Sequence, residues 1–245
     1  MNFIASLLGT LMRWIYETLA NNFTESADIS FYAISIIIMT LIVNLITIPM
    51  MSNQKKTAEK SSQLKPKMEE IQKKYSYDPQ IMQQKMQELY REEGVSPGIS
   101  SCLVMIFQLL ILMALYRVIR EPEAYVFKDG IHNIRDNFYW VPTLQEKDPL
   151  FYGLPLLTSL TQFANSLFSM KTNPQMSGEN NPMSSMNNML LIMPLLYYFM
   201  FRNLPAGLPL YWTTSSIIRL ILLAITQLIG KKQGEKEVED EKNNN

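Results

Sequence analysis

The sequence predicts an all-α integral membrane protein, with five transmembrane helices, a cytoplasmic two-helix hairpin and an N-terminal amphipathic helix. Three observations predict it. First, residues 31–51, 98–116, 149–170 and 186–201 carry no charged side chain, and a bilayer core needs about 20 mostly apolar residues per crossing. Second, residues 53–93 are rich in Gln, Lys, Glu and Met and contain no glycine, a helical composition without a core of its own. Third, Lys and Arg are distributed unevenly between alternate loops. The averages conceal this segregation: a mean hydropathy of -0.01, zero net charge and 47% hydrophobic residues would suit a soluble chain.

In order, residues 1–22 carry an apolar stripe of Phe3, Ile4, Leu7, Leu8, Leu11, Met12, Ile15, Tyr16 and Leu19, with Arg13 and Glu17 off it. An arginine within the apolar part and no Ala-x-Ala-like site argue against a cleaved signal peptide. The stripe predicts a helix lying on the outer membrane surface; an uncleaved signal-anchor is the alternative. The first span covers 31–51. The hairpin, 52–96, divides at Tyr75-Ser-Tyr-Asp-Pro79 into arms over about 53–75 and 79–93. Asp78 can cap the second arm and Pro79 suits its first turn. Leu64, Met68, Ile71 and Tyr75 face Met82, Met86, Leu89 and Tyr90, enough for weak mutual packing. Such a hairpin is either a solvated connector or a docking arm for incoming polypeptide or lipid headgroups.

The second span is 97–119, followed by an extracytoplasmic loop at 120–148. The third is 149–170, followed by a cytoplasmic loop at 171–185. The fourth, 186–202, and fifth, 207–229, are parted by a tight turn, and 230–245 reads as a disordered cytoplasmic tail. The hairpin, the 171–185 loop and the tail hold fourteen Lys and Arg against seven on the opposite side. Basic loops stay cytoplasmic, so the N-terminus is placed outside and the C-terminus inside.

Polar residues inside the spans fall on faces. The first span has Thr40, Asn44 and Thr47; the second Ser101 and Gln108; the third Thr158, Thr161, Gln162, Asn165, Ser166 and Ser169. The fifth has Trp212, Ser215, Ser216 and Arg219, with Trp212 and Arg219 seven apart. Taken singly, each stripe reads as hydrogen bonding between helices, about 0.6 kcal/mol per bond on average. Arg219 changes the balance, because a guanidinium at mid-bilayer costs about 2.5–3.5 kcal/mol on insertion scales. A water-filled cavity explains the stripes and the charge together.

Bond-making chemistry has no support. There is no intramembrane carboxylate, no Ser/His or Cys/His set and no glycine-rich phosphate loop. Cys102 is alone and His132 has no ligand set, so neither metal nor cofactor is expected. Lys in the hairpin is offset by Glu, and no nucleic-acid motif is present. A channel or small-solute transporter using the same polar cavity is the rival reading; the lack of an acidic coupling residue and of an inverted repeat counts against it. Met170, Met176, Met183, Met186, Met189 and Met193 gather near the cytoplasmic ends of the third and fourth spans, as adaptable apolar contacts or as ordinary packing.

The stretch Asn203-Leu-Pro-Ala-Gly-Leu-Pro-Leu-Tyr-Trp212, which holds Pro205, Ala206, Gly207 and Tyr211, resembles the turn motif of the YidC/Oxa/Alb family of membrane protein insertases in its five-span form. Leu64-Lys-Pro66, Ile71-Gln-Lys-Lys-Tyr75, Glu88-Leu-Tyr90, Val95-Ser-Pro97, Cys102-Leu103, Gln108 and Ala114-Leu-Tyr116 match the same family in the same order, over most of residues 1–230. The resemblance implies a hydrophilic groove open to the cytoplasm and to lipid. It would receive the polar segment of a nascent membrane protein, with the Sec translocon and the ribosome as possible partners. Asn44, Asn165, Trp212 and Gln108 would line it.

The chain departs from the family in three places. The family carries an arginine in the motif that reads Leu41-Ile-Val-Asn44-Leu-Ile-Thr-Ile-Pro49 here, and none at the position of Arg219. Its frequently basic tail is replaced by Gly234-Glu-Lys-Glu-Val-Glu-Asp-Glu-Lys242, which argues against ribosome docking through the tail. At about 1.5 Å per residue, Asn44 lies roughly 9 Å and Arg219 roughly 15 Å from the cytoplasmic ends of their spans. The expectation is that the groove cation has moved from the first span to the fifth.

Overall fold

The structure is a computed structural model that describes residues 2–94, 97–127, 134–172 and 184–243, with side chains outside 49–59, 61–62, 65, 97–105, 169–172, 184–191 and 226–243. The side chains of Ser101, Cys102, Ser169, Met170, Met186 and Met189 lie outside the described residues, as do His132, Met176, Met183 and the middle of the 171–185 loop. The helices are α1 (Asn2–Asn22), α2 (Phe31–Gln63), α3 (Lys65–Lys74), α4 (Pro79–Glu92), α5 (Pro97–Arg120), α6 (Pro122–Tyr125), α7 (Leu154–Thr172), α8 (Ser184–Phe201) and α9 (Gly207–Asn243).

The stripe of α1 is wide enough to serve two surroundings. Ala5, Leu8, Met12 and Ile15 are buried against Tyr32, Ala33, Ile36 and Met39 of α2 and Ala114, Leu115 and Val118 of α5. Phe3, Leu7 and Trp14 remain exposed on the other flank. The helix is therefore packed into the bundle along one edge rather than held by a membrane surface alone.

Two boundaries differ from those read in the sequence. α2 does not stop at 51 but continues through Asn53-Gln-Lys-Lys to Gln63. The switch from apolar to polar residues changes the solvent of a helix, not its backbone preference, and Gln, Lys, Ala and Glu all favour helix. The helix breaks at Leu64, because Pro66 lacks the N–H that the carbonyl of Ser62 would accept. Likewise α9 runs to Asn243, so the 230–245 tail expected to be disordered is helical as far as the described residues reach. Its Lys and Glu are good helix formers continuing an existing helix, and continuation avoids the cost of nucleation.

α3 and α4 are antiparallel partners. Asp78 caps α4, its carboxylate accepting from the N–H groups of Gln80 (2.9 Å) and Ile81 (3.1 Å), with Pro79 in the first turn. Tyr90 donates to Met68 Sδ at 3.4 Å, and Lys67 pairs with Glu93.

α9 is the hub: it packs against α2, α5 and α7, while α8 leans on α7. Its start is fixed by the loop before α7. The N–H groups of Ala206 and Gly207, unpaired within the helix, donate to the carbonyls of Glu146 (2.7 Å) and Leu144 (3.0 Å). A Cβ at Gly207 would lie 3.0 Å from Cγ2 of Ile119, so glycine lets α5 approach. Among the described residues, Phe31–Ile48 and Gly207–Ile225 are long and apolar enough to cross a membrane, and Ile192–Phe201 is a shorter apolar stretch. α7 falls below that pair because Thr158, Thr161, Gln162, Asn165 and Ser166 dilute it. The starts of α5 and α8 lie outside the described side chains.

Candidate functional site

Each described polar stripe sends at least one side chain to α9. On α2, Thr40 is fully buried and its hydroxyl donates to the Ile36 carbonyl at 2.6 Å. Asn44 is 3% exposed; its amide donates to the Thr40 carbonyl (2.8 Å), and its Oδ1 accepts from the Ser215 hydroxyl (3.0 Å). Thr47, part-buried, donates to the Asn44 carbonyl. On α7, the Asn165 amide donates to the Thr161 carbonyl (3.0 Å) and across to the Ser216 carbonyl (3.1 Å). Thr158 shares a hydrogen bond with Thr213 at 2.8 Å. The Ser159 hydroxyl ties α7 to α8 through the Pro194 carbonyl at 2.6 Å.

The periodicity of α9 explains this division. Ser215 addresses α2, whereas Thr213 and Ser216 address α7. Tyr211, Ser215 and Arg219 are four apart and form one ridge. At the end of that ridge Arg219 Nη2 donates to Gln108 Oε1 of α5 at 2.9 Å. Gln108 also hydrogen-bonds the hydroxyl of Tyr211, which is 1% exposed. One amide thereby connects the guanidinium to the turn motif. Trp212, part-buried, lies 5.5 Å from the ring of Tyr197 and 5.4 Å from that of Phe201.

Thus Thr40, Asn44, Asn165, Ser215 and Ser216 form a packed, hydrogen-bonded layer. Arg219, Gln108, Gln162, Thr47 and Trp212 keep partial exposure. Thr40, Asn44, Asn165 and Ser215 each make a hydrogen bond inside this layer, as buried polar groups usually do. Arg219 is different in kind. Its bond is to a neutral acceptor, and among the described residues none of the ion pairs involves it. Among the described residues its positive charge therefore has no counter-charge, a state that burial disfavours strongly unless water or a ligand shares it.

Two participants escape a sequence reading. Thr213 sits beside Trp212, and only the pairing with Thr158 reveals which face it serves. Tyr197, in α8, carries no polar periodicity, yet it lies against Trp212 and near Arg219. Among the described residues no group of three or more His, Cys, Asp or Glu could hold a metal ion.

Residues 24–234 match the model of the 60Kd inner membrane protein family. A protein of Fusobacterium nucleatum named membrane protein insertase YidC is 32% identical over 222 residues, covering 90% of this chain and 95% of its own. Proteins of the same name from Clostridium perfringens (30% identical, 99% of each chain) and Oceanobacillus iheyensis (34%, 89% of this chain and 82% of its own) are similar throughout. The crystal structure of an active YidC insertase with its first transmembrane domain resolved superposes with a TM-score of 0.59 and 28% identity. The overlap covers 92% of this chain and 45% of that one. A match that runs unbroken from before α2 into α9, on the same all-helical architecture, leaves one conclusion: the chain belongs to the YidC/Oxa/Alb family, the family of membrane protein insertases.

Proposed function

We propose that this chain inserts nascent membrane proteins by admitting their hydrophilic segments beside Arg219 and releasing their apolar helices into the bilayer. In this reading α2, α5, α7, α8 and α9 are the five crossings, with α3 and α4 on the cytoplasmic side, the N-terminus outside and the C-terminus inside. The observation that carries it is the Arg219–Gln108 pair: a partly exposed guanidinium whose partner is an amide. A carboxylate partner would cancel the charge. An amide orients it and leaves it available to an acidic or hydrated segment. The work is physical rather than bond-making, so no enzymatic step is assigned.

The contact between Asn44 and Ser215 supports the idea that the cation has moved from the first span to the fifth. Asn44 touches α9 four residues before Arg219, so a charge at either position would serve the same region. The tight hydrogen bonding of the Thr40–Asn44–Ser215 and Thr158–Thr213 groups favours this reading over a solute pore, whose walls must stay wet along their length. The test is insertion of a single-span substrate into liposomes containing the purified protein alone. Arg219→Ala should cripple insertion and Asn44→Arg in that background should restore it, with no accompanying solute flux. Full activity of Arg219→Ala would sink the proposal.

A further inference from the structure

The segment before α7 holds large side chains where solvent would disfavour them. Tyr139, Trp140, Leu150, Phe151 and Tyr152 are 58%, 39%, 46%, 57% and 76% exposed. Their backbone is nonetheless fixed. Tyr139 adopts φ 46°, a conformation uncommon for residues with a side chain. It is held there by donation to the Asp28 carbonyl at 2.7 Å and by the reciprocal Phe138 and Val141 bonds at 2.9 and 2.8 Å.

A single carboxylate joins the two aromatic groups. Asp148 is 3% exposed; its Oδ1 accepts from the Leu150 N–H (2.9 Å), and its Oδ2 from the Leu154 N–H (2.6 Å) and Trp140 Nε1 (3.2 Å). A Cβ at Gly153 would run into that carboxylate, so the position is reserved for glycine. Phe151 rests on Tyr198 at 5.5 Å and accepts from its hydroxyl at 3.1 Å, and the Arg202 guanidinium lies 5.8 Å from the Phe151 ring. The result is one platform rather than two loose loops.

Its level in the fold is defined. α2 starts at Phe31, next to Ser30, whose hydroxyl donates to the Asn137 carbonyl. α7 starts at Leu154 and α8 ends at Phe201. Three helices meet this segment at the same end, and the exposed side chains leading away from it are apolar: Leu157, Leu160 and Leu167 on α7, Leu195, Leu196 and Phe199 on α8. A greasy perimeter topped by Trp, Tyr and Arg is the order of side chains found from acyl chain to headgroup.

We infer that residues 138–152 are an interfacial anchor, seated in the phospholipid headgroup layer at the ends of α2, α7 and α8, with Asp148 as the buried joint that keeps its aromatic rings at one depth. The anchor does not depend on how substrates are handled at Arg219.

The chain has three tryptophans and one cysteine. In full-length protein with Trp14→Phe and Trp212→Phe, Trp140 alone reports. The protein is reconstituted in vesicles of phosphatidylethanolamine and phosphatidylglycerol bearing a quencher at the headgroup, at mid-chain or at the chain end. The headgroup quencher should act at least about twofold more strongly than the chain-end quencher, and Asp148→Asn should erase that difference while circular dichroism keeps its helical signal. A second reporter spares the tryptophans: a nitroxide on Tyr152→Cys in a Cys102→Ser background should collide with oxygen and with a water-soluble nickel chelate to the intermediate degree of the headgroup zone. Quenching by aqueous acrylamide without any response to lipid-borne quenchers would overturn the anchor and assign the platform to a protein partner or to solvent. So would a nitroxide fully open to the nickel chelate, or a depth unchanged by Asp148→Asn.

Discussion

The Ser215 hydroxyl donates to Asn44 Oδ1 at 3.0 Å between two side chains that are each under 5% exposed. The bond joins α2 to α9 one turn before Arg219. Because both partners are buried, losing either strands the other. A double-mutant cycle of Asn44→Ala and Ser215→Ala should give a coupling of about 0.6 kcal/mol, and at most about 1.7, read from unfolding in mixed detergent micelles. A coupling indistinguishable from zero would mean that the contact does not form in the membrane.

Arg219 should act by charge more than by shape. At an effective dielectric constant of about 20, a carboxylate roughly 8 Å away gains about 2 kcal/mol, more than tenfold in an equilibrium. Arg219→Gln should therefore slow insertion of a substrate with an acidic translocated segment by about tenfold, and of its neutral counterpart by much less. Arg219→Lys should keep most of the activity. Equal losses for both substrates in the liposome assay would contradict a charge-based role.

Gln108 should distinguish orientation from neutralisation. Gln108→Glu puts a carboxylate on Arg219 and should lower insertion of the acidic substrate as far as Arg219→Gln does. Gln108→Leu frees the guanidinium and removes the link to Tyr211, giving a smaller and less substrate-selective loss. Rates for the same two substrates decide it; a Gln108→Glu protein as active as the parent would remove Gln108 from the site.

At the turn, Gly207→Ala should cost about 1–3 kcal/mol through overpacking against Ile119. Combining it with Ile119→Ala should cost less than the sum of the two single changes. Thermal unfolding in detergent measures both, and strict additivity would place the strain elsewhere.

The hairpin has its own pH signature. Glu93 holds the Lys67 ammonium above the usual lysine range, first through a hydrogen bond and then through its charge. This contribution is complete below the ordinary lysine pKa and is lost as pH rises through the raised one. Lys85 holds Glu88 below the usual carboxylate range by the same two causes. That contribution is present above the ordinary glutamate pKa and is lost as pH falls through the depressed one. Hydrogen exchange of α3 and α4 should thus be most protected relative to the intrinsic rate between these limits. Salt should reduce the protection, since both pairs are exposed.

Much of this architecture is written locally. Asp78-Pro79 announces the start of α4, Pro66 ends α2, and the Pro205–Trp212 motif marks the α8–α9 turn. Such features act within a few residues and need no tertiary context. The run of α2 past 51 and of α9 past 229 was not legible, because hydropathy reports the surrounding solvent and not the backbone. At the site, the sequence isolated Asn44, Gln108, Asn165 and Arg219 by polarity. It could not separate the packed layer from the exposed charge, since that depends on which face of α9 meets which neighbour. Asp148 was invisible for another reason. It caps α7 from six residues before Leu154, outside the spacing of any capping pattern.

α2 and α9 are unbroken over 33 and 37 residues, about 50 and 55 Å at 1.5 Å per residue. Each is longer than the roughly 30 Å apolar thickness of a bilayer, so in the five-crossing arrangement proposed above each would extend beyond it. The Asn44–Ser215 contact lies part-way along both; α9 has no proline between it and its far end, whereas Pro49 removes one helical hydrogen bond of α2 five residues after Asn44. In that arrangement a sideways load on the far end of α9 would arrive at the contact as a torque. The pair would then act as a fulcrum, with Arg219 one turn beyond it on the α9 arm.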